Sequence, residues 1–234
     1  MYSNIKDILR MLRRVIRVLF RRDLFVTADI HYKNIRLGSD YGGWNIIPEH
    51  ISKDSLVYSF GVGEDISFDM ALIHKFGVKV HAFDPTPRSI KWVKNQHLSS
   101  LFVMHEYGLL NYDGLVTFLP PKNSSHVSHK IVVGGQKNIN SFEVEVKKLQ
   151  TIVRELQHGS IDLLKMDIEG SEYSVIKDIE SSNIRPKQLL IEFHHRFQNI
   201  GVKETRNALE IIKKMGYKLF YVSRSGEEFS FILE

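Results

Sequence analysis

The chain has no cysteine, which rules out disulfides, thiolate zinc sites and a cysteine nucleophile. It has no internal repeat and no low-complexity tract. It also lacks a long uninterrupted apolar run near its start, because arginines break the hydrophobic residues into short pieces. Neither a cleaved signal peptide nor a transmembrane helix is therefore expected there. The body lacks a basic excess as well. Residues 1–22 hold Lys6 and six arginines against Asp7, while the whole chain is only +5, so residues 23–234 are one charge negative. A general nucleic-acid-binding surface is not indicated, since such a domain carries the basic charge itself. What remains is ordinary globular composition, 43% hydrophobic and 25% charged over 234 residues, enough for one domain with an N-terminal appendage.

That appendage reads "IKDILRMLRRVIRVLFRR". Ile5, Ile8, Leu9, Leu12, Val15, Ile16 and Leu19 recur at helical spacing, with Lys6, Arg10, Arg13, Arg17 and Arg21 opposite. The expected division is an amphipathic basic helix over 1–22 and a catalytic body over 23–234. Two partners suit such a helix: an anionic membrane surface, or a protein surface formed by the body or another subunit. The expected location is cytoplasmic, with peripheral contact at the inner membrane face as the sharper alternative.

In the body, apolar runs at 56–60, 78–83, 101–105, 161–167 and 188–195 read as strands. Helical stretches at 65–76, 88–98, 171–179 and 203–215 separate most of them. Two further short strands are expected within 24–37, a loop over 39–50, a strand at 115–119 and a long polar loop at 120–141. Strands alternating with helices imply a parallel sheet covered on both faces, a three-layer αβα arrangement. The last two strands, "YKLFYVS" and "EFSFIL", are joined by too few residues for a crossover helix, so they must be antiparallel. A mostly parallel sheet ending in an antiparallel hairpin marks the Rossmann-like fold of class I methyltransferases rather than a six-stranded dinucleotide sheet.

"LVYSFGVGEDISFD" ends a strand in Gly61-Val62-Gly63, with Ile66 where a third fingerprint glycine would stand. Gly-x-Gly alone is weak evidence. The context strengthens it: a helix follows, and Asp84 ends the next strand, where a carboxylate can accept both hydroxyls of a ribose. Glu64 and Asp65 at the helix start would repel a diphosphate, which needs bare N–H groups there. They suit a ligand bearing an ammonium and a sulfonium, although they also suit a simple helix start.

"IDLLKMDIEGSEYSVI" sets Asp167 at a strand mouth with Glu169 and Glu172 close behind. This segment resembles the signature of FkbM-type methyltransferases, roughly L-L-K-x-D-x-E-G-x-E. "AFDPTP" and "LLIEFHH" fall in that family's order and spacing. The similarity runs from about Tyr41 to Leu233 and leaves the N-terminal helix outside. Ser59 and Val62-Gly63 stand where many members carry Asp and Ala-Asn. The resemblance implies a class I fold, S-adenosyl-L-methionine as methyl donor, and O-methylation, often of a sugar or polyketide hydroxyl. It implies cofactor contacts at Gly61, Gly63, Glu64, Asp84, Pro85 and Gly108, with Asp167 lining the floor between cofactor and acceptor.

A hydroxyl is a poor nucleophile until its proton leaves, so a base is expected. Asp167, His194 and Glu192 are the catalytic candidates. Strand alternation puts Glu192 and His194 on one face and His195 on the other. A metal is not expected, because no tight ligand spacing exists, although these three residues are hard or borderline ligands. His126 and His129 in the polar loop, and Tyr41 and Trp44 before the first core strand, are weaker candidates for acceptor or cofactor contact. Two other classes stay open. An NAD(P)-dependent sugar oxidoreductase would use a Tyr-x-x-x-Lys pair, which Tyr173 and Lys177 match. A non-catalytic, membrane-associated scaffold would keep the fold and bind neither cofactor.

Overall fold

The computed structural model describes residues 12, 14–20, 22–119, 130–131 and 141–234. A seven-stranded sheet organises the body. Its strands are β3 (Val57–Phe60), β4 (Val80–Phe83), β5 (Phe102–His105), β10 (Leu163–Met166), β11 (Gln188–Glu192), β12 (Tyr217–Val222) and β13 (Glu228–Leu233), in the order β12-β13-β11-β10-β3-β4-β5. The five strands from β11 to β5 are parallel, with Leu163 beside both Val57 and Gln188. β13 runs antiparallel to both β11 and β12. The hairpin expected from the short connection is therefore present, and its second strand lies inside the first.

The central strands are buried on both faces, which is why they read as continuous apolar runs rather than alternating ones. Successive side chains serve opposite layers. Val57, Leu163, Leu190 and Val80 pack with Phe68, Leu72 and Val93 of helices α1 (Ser67–Phe76) and α2 (Pro87–Lys94). Tyr58, Leu164, Met166 and Leu189 pack the other way, against α3 (Leu149–Glu155), α4 (Glu172–Ser181) and α5 (Val202–Lys214) through Ile152, Ile176 and Ile212. Each fully buried aliphatic or aromatic side chain of these layers contributes about 1.5–3 kcal/mol.

Two smaller sheets flank the core. β6 (Gly108–Leu109), β7 (Gly114–Leu119), β8 (Lys130–Ile131) and β9 (Phe142–Lys147) form one, in the order β6-β9-β7-β8. β1 (Ile35–Leu37) and β2 (Trp44–Ile46) form the other. This corrects the expectation of two strands within 24–37. Only Ile35–Leu37 is a strand there, and its partner falls inside the stretch read as a loop. The glycine-rich turn at 38–43 hid it: Gly38, at φ 95°, lets the chain reverse between the two strands. Most of the polar loop expected at 120–141, His126 and His129 included, lies outside the described residues.

Residues 14–19 are helical. Leu12, Val15, Ile16, Leu19 and Phe20 are all exposed, while Arg14 turns toward the body and donates to the carbonyls of Ser223 and Leu24. No helix among the described residues is long and apolar enough to cross a membrane.

Candidate active site

The carboxyl ends of β3, β4 and β10 meet at one point. The Gly61 N–H bonds the Phe83 carbonyl at 3.0 Å, and the Asp167 N–H bonds the Phe60 carbonyl at 3.2 Å. Gly61 has φ 78°, and a Cβ there would lie 1.7 Å from the Asp167 carbonyl oxygen. Only glycine lets the two loops approach this closely. Beneath them, the buried Lys165 donates to the Gly61 carbonyl at 2.7 Å and the Phe60 carbonyl at 3.3 Å. Asp69, on α1, is buried nearby. Burial pushes its carboxyl up, against the pull of the Lys165 charge. Lys165 thus clamps the Gly61 turn from below, a role the sequence reading missed. Its signal was a lysine inside a strand otherwise buried on both faces.

A cleft of about 1360 Å³ opens above this junction. Gly61, Gly63, Glu64, Asp84, Pro85, Gly108 and Asp167 all line it, as does Glu192. The residues expected to contact a cofactor therefore all line one cleft. Details differ from expectation. Asp84 is almost fully buried, and three donors already use its carboxylate: Gly63 N at 2.9 Å on one oxygen, and Thr86 N at 2.8 Å and Thr86 Oγ1 at 2.6 Å on the other. A carboxylate offers about four lone-pair sites, so Asp84 has capacity left for one ribose hydroxyl rather than two. Its main work is to set the Gly63 amide and the "DPTP" turn. Glu64 is held by a two-pronged pair with Arg88, at 2.9 and 2.6 Å, which lowers its pKa. Asp65 accepts from Ser39 Oγ at 2.6 Å and Ser67 N at 2.8 Å, tying the 39–43 turn to α1. The acidic pair after Gly63 is thus structurally engaged, whereas Asp167 has no Lys or Arg partner among the described residues. Gly108 sits against Pro85; a Cβ there would come within 3.0 Å of the proline ring.

The "DIEG" turn is unusual. Glu169 has φ 53° and Gly170 φ 97°, so a non-glycine residue is held in the left-handed region. This turn carries Glu172 inward. Its carboxylate is fully buried and accepts from Gly170 N at 2.9 Å, His194 N at 3.0 Å and His194 Nδ1 at 3.2 Å. His194 then points Nε2 toward Asp167 and Glu169, at 3.8 and 3.5 Å. Asp167, Glu192 and His194 lie together, each offering one atom within 4.8 Å of the other two. Burial opposes a charged His194, but Glu172, Asp167 and Glu192 outweigh it and raise its pKa to about 10. Burial, reinforced by Asp167, drives the Glu192 carboxyl well above its ordinary value. Surrounded by these carboxylates, His194 favours its protonated form as long as no other cation stands among them, which weighs against it as a free base. His195 faces the opposite way and meets Asp23, as alternation requires.

Tyr173 is buried, and its hydroxyl pairs with Thr205 Oγ1 at 2.9 Å. With Lys177 it borders a separate surface hollow between α4 and α5, away from Gly61 and Asp84. The oxidoreductase pair is thus not at the crevice. Trp44 is buried, packed in the layer with α1, yet also lines the cleft, as does Tyr41, which is 88% exposed.

A parallel sheet with an inserted antiparallel last strand, opening on a Gly-x-Gly crevice with an acidic floor, is the scaffold of a class I methyltransferase. The profile of the methyltransferase FkbM domain matches residues 56–219. The chain belongs to the FkbM methyltransferase family. It is 25% identical over 195 residues to a human protein described as probable methyltransferase-like protein 24, covering 80% of this chain and 47% of that protein. The rat protein of the same description is 24% identical over 181 residues, covering 73% and 43%. The chain thus spans about half the length of the curated relatives it matches. A solved structure of methyltransferase FkbM from Methylobacillus flagellatus shares 15% identity, covers 78% of this chain and 44% of that one, and superposes with a TM-score of 0.47.

Proposed function

We propose that the protein transfers a methyl group from S-adenosyl-L-methionine to a hydroxyl oxygen, with a sugar or glycoconjugate as the preferred acceptor class. The observation that carries this reading is the Gly61–Asp167 contact, which joins the nucleoside-type wall to the acidic floor in one cleft. The residues present fit that cofactor. Gly61 and Gly63 leave bare backbone for the methionine part, Asp84 keeps one acceptor site for the ribose, and Pro85 and Gly108 form a flat surface for a base. The Asp167 carboxylate favours a sulfonium and disfavours a diphosphate. Arg17, Arg36 and Ser225 are among the residues lining the cleft, and such hydrogen-bonding side chains suit a hydroxyl-rich acceptor.

The chain's own contribution is alignment and charge. Asp167 receives the proton of the acceptor hydroxyl, and His194 Nε2 stands 3.8 Å from its carboxylate. Calorimetry with S-adenosylhomocysteine and NADH tests the cofactor. The first should bind and the second should not; the reverse result overturns the reading, and binding of neither supports the scaffold alternative. For the chemistry, Asp167→Asn should keep S-adenosylhomocysteine binding while turnover of a sugar acceptor falls roughly 10²–10⁴-fold.

A further inference from the structure

We propose that Asp167, Glu192 and His194 form a binding site for one divalent cation of the Mn²⁺ type. Their ligand atoms lie within 4.8 Å of one another. An ion bonded to each at about 2.1 Å requires separations of at most roughly 4.2 Å. Small side-chain rotations close that gap. Two carboxylates and one imidazole are a donor set for hard to borderline ions.

Three further observations point to a ligand. First, His194 has a side chain nine-tenths buried, aims Nε2 into the gap and makes no hydrogen bond through it among the described residues. Second, the buried Glu172 accepts from Nδ1 and from the His194 backbone N–H, fixing both the tautomer and the ring orientation. A carboxylate behind an imidazole, with the other nitrogen presented outward, is how metal-ligating histidines are held. Third, Glu192 is half-buried at the end of β11, yet no hydrogen bond or ion pair reaches its carboxyl group from the described residues, and no Lys or Arg among them pairs with Asp167. Carboxylates gathered this closely repel one another unless a cation lies between them. A divalent ion supplies that cation.

Asp167 and Glu192 also line the cleft, so the remaining coordination positions open toward the acceptor. A hydroxyl bound there loses its proton more readily. That role rests on the methyltransferase reading; binding of the ion does not.

The test is titration of the metal-stripped full chain with Mn²⁺, followed by electron paramagnetic resonance and calorimetry. The expected result is one ion per chain, with nitrogen hyperfine coupling from a single imidazole. Glu192→Gln and Asp167→Asn should each weaken binding at least about 10-fold. Glu172→Gln, which acts through His194, should weaken it about 10–100-fold. Glu210→Gln, on the exposed face of α5, should not change it. Absence of a stoichiometric ion, or a bound ion that shows no nitrogen coupling, overturns the proposal even if the variants fail to fold. Unchanged affinity in a folded Glu192→Gln overturns it as well. S-adenosylhomocysteine binding on the same samples separates the two readings: Mn²⁺ without the nucleoside sinks the methyltransferase proposal, and the nucleoside without Mn²⁺ sinks this one.

Discussion

His194 and His195 leave the end of β11 on opposite sides, and each meets a buried carboxylate. On the His194 side, Glu172 collects three N–H donors and sits among further acids. On the His195 side, Asp23 accepts from His195 Nε2 at 3.1 Å and from Arg196 Nε at 3.1 Å, and Arg196 goes on to pair with Glu227. In the second network Arg196, with Arg14 close by, sets fixed positive charge against both carboxylates. The first is acid-rich and faces the cleft. Balanced networks hold a fold together, whereas an unbalanced one keeps binding capacity at some cost in stability.

That contrast can be broken from either side. Gly61→Ala, beneath the acid-rich side, should have the largest effect, because its Cβ would overlap the Asp167 carbonyl. A loss of about 4–5 kcal/mol in urea unfolding is expected. A loss under about 1 kcal/mol would mean the loops separate freely. Glu172→Ala strands the donors of Gly170 and His194 and should cost about 3–5 kcal/mol. A cost under about 1 kcal/mol would mean that water takes over the three donors Glu172 now accepts from.

Asp23 gives the next effect. Burial opposes its charge, but hydrogen bonds from His195 and Arg196, together with the Arg196 charge, hold its pKa down to about 2. The folded carboxyl binds its proton less readily than the unfolded one, whose ordinary value is 3.8. Its contribution, about 2 kcal/mol, is therefore complete above pH 4 and lost as the pH falls toward 2. Asp23→Asn should lower stability at pH 7 by that order and flatten the acid limb between pH 4 and 2. An unchanged acid limb would remove Asp23 from the account. Smallest of all is Leu19→Ser, on an exposed side chain of the N-terminal helix. Chemical denaturation should place it within about 0.5 kcal/mol of the parent chain.

These residues also show how far the sequence could be read. β3, β4, β10 and β11 were legible because strands buried on both faces are mostly apolar, and the final hairpin because its connection is short. Asp84 and Asp167 were legible because strand ends are where such sheets bind ligands. The Glu172–His194 bond was not, since 22 residues separate the partners and only the left-handed turn at Glu169 brings them together. Nor was the Asp23 network, which joins residues more than 170 positions apart. Local spacing carries no trace of either. At Glu64 and Asp65 the charge was legible while the partners Arg88 and Ser39 were not.

The placement of β13 between β11 and β12 governs how the chain is made. β12 leaves the ribosome before the strand it must pair with exists. From the completion of β11 until β13 emerges, one margin of the growing sheet stays bare. At about 5–20 residues per second that interval is roughly 2–7 s. For that time the nascent protein exposes an open strand edge, so its yield in cells should depend on chaperones that shield such edges.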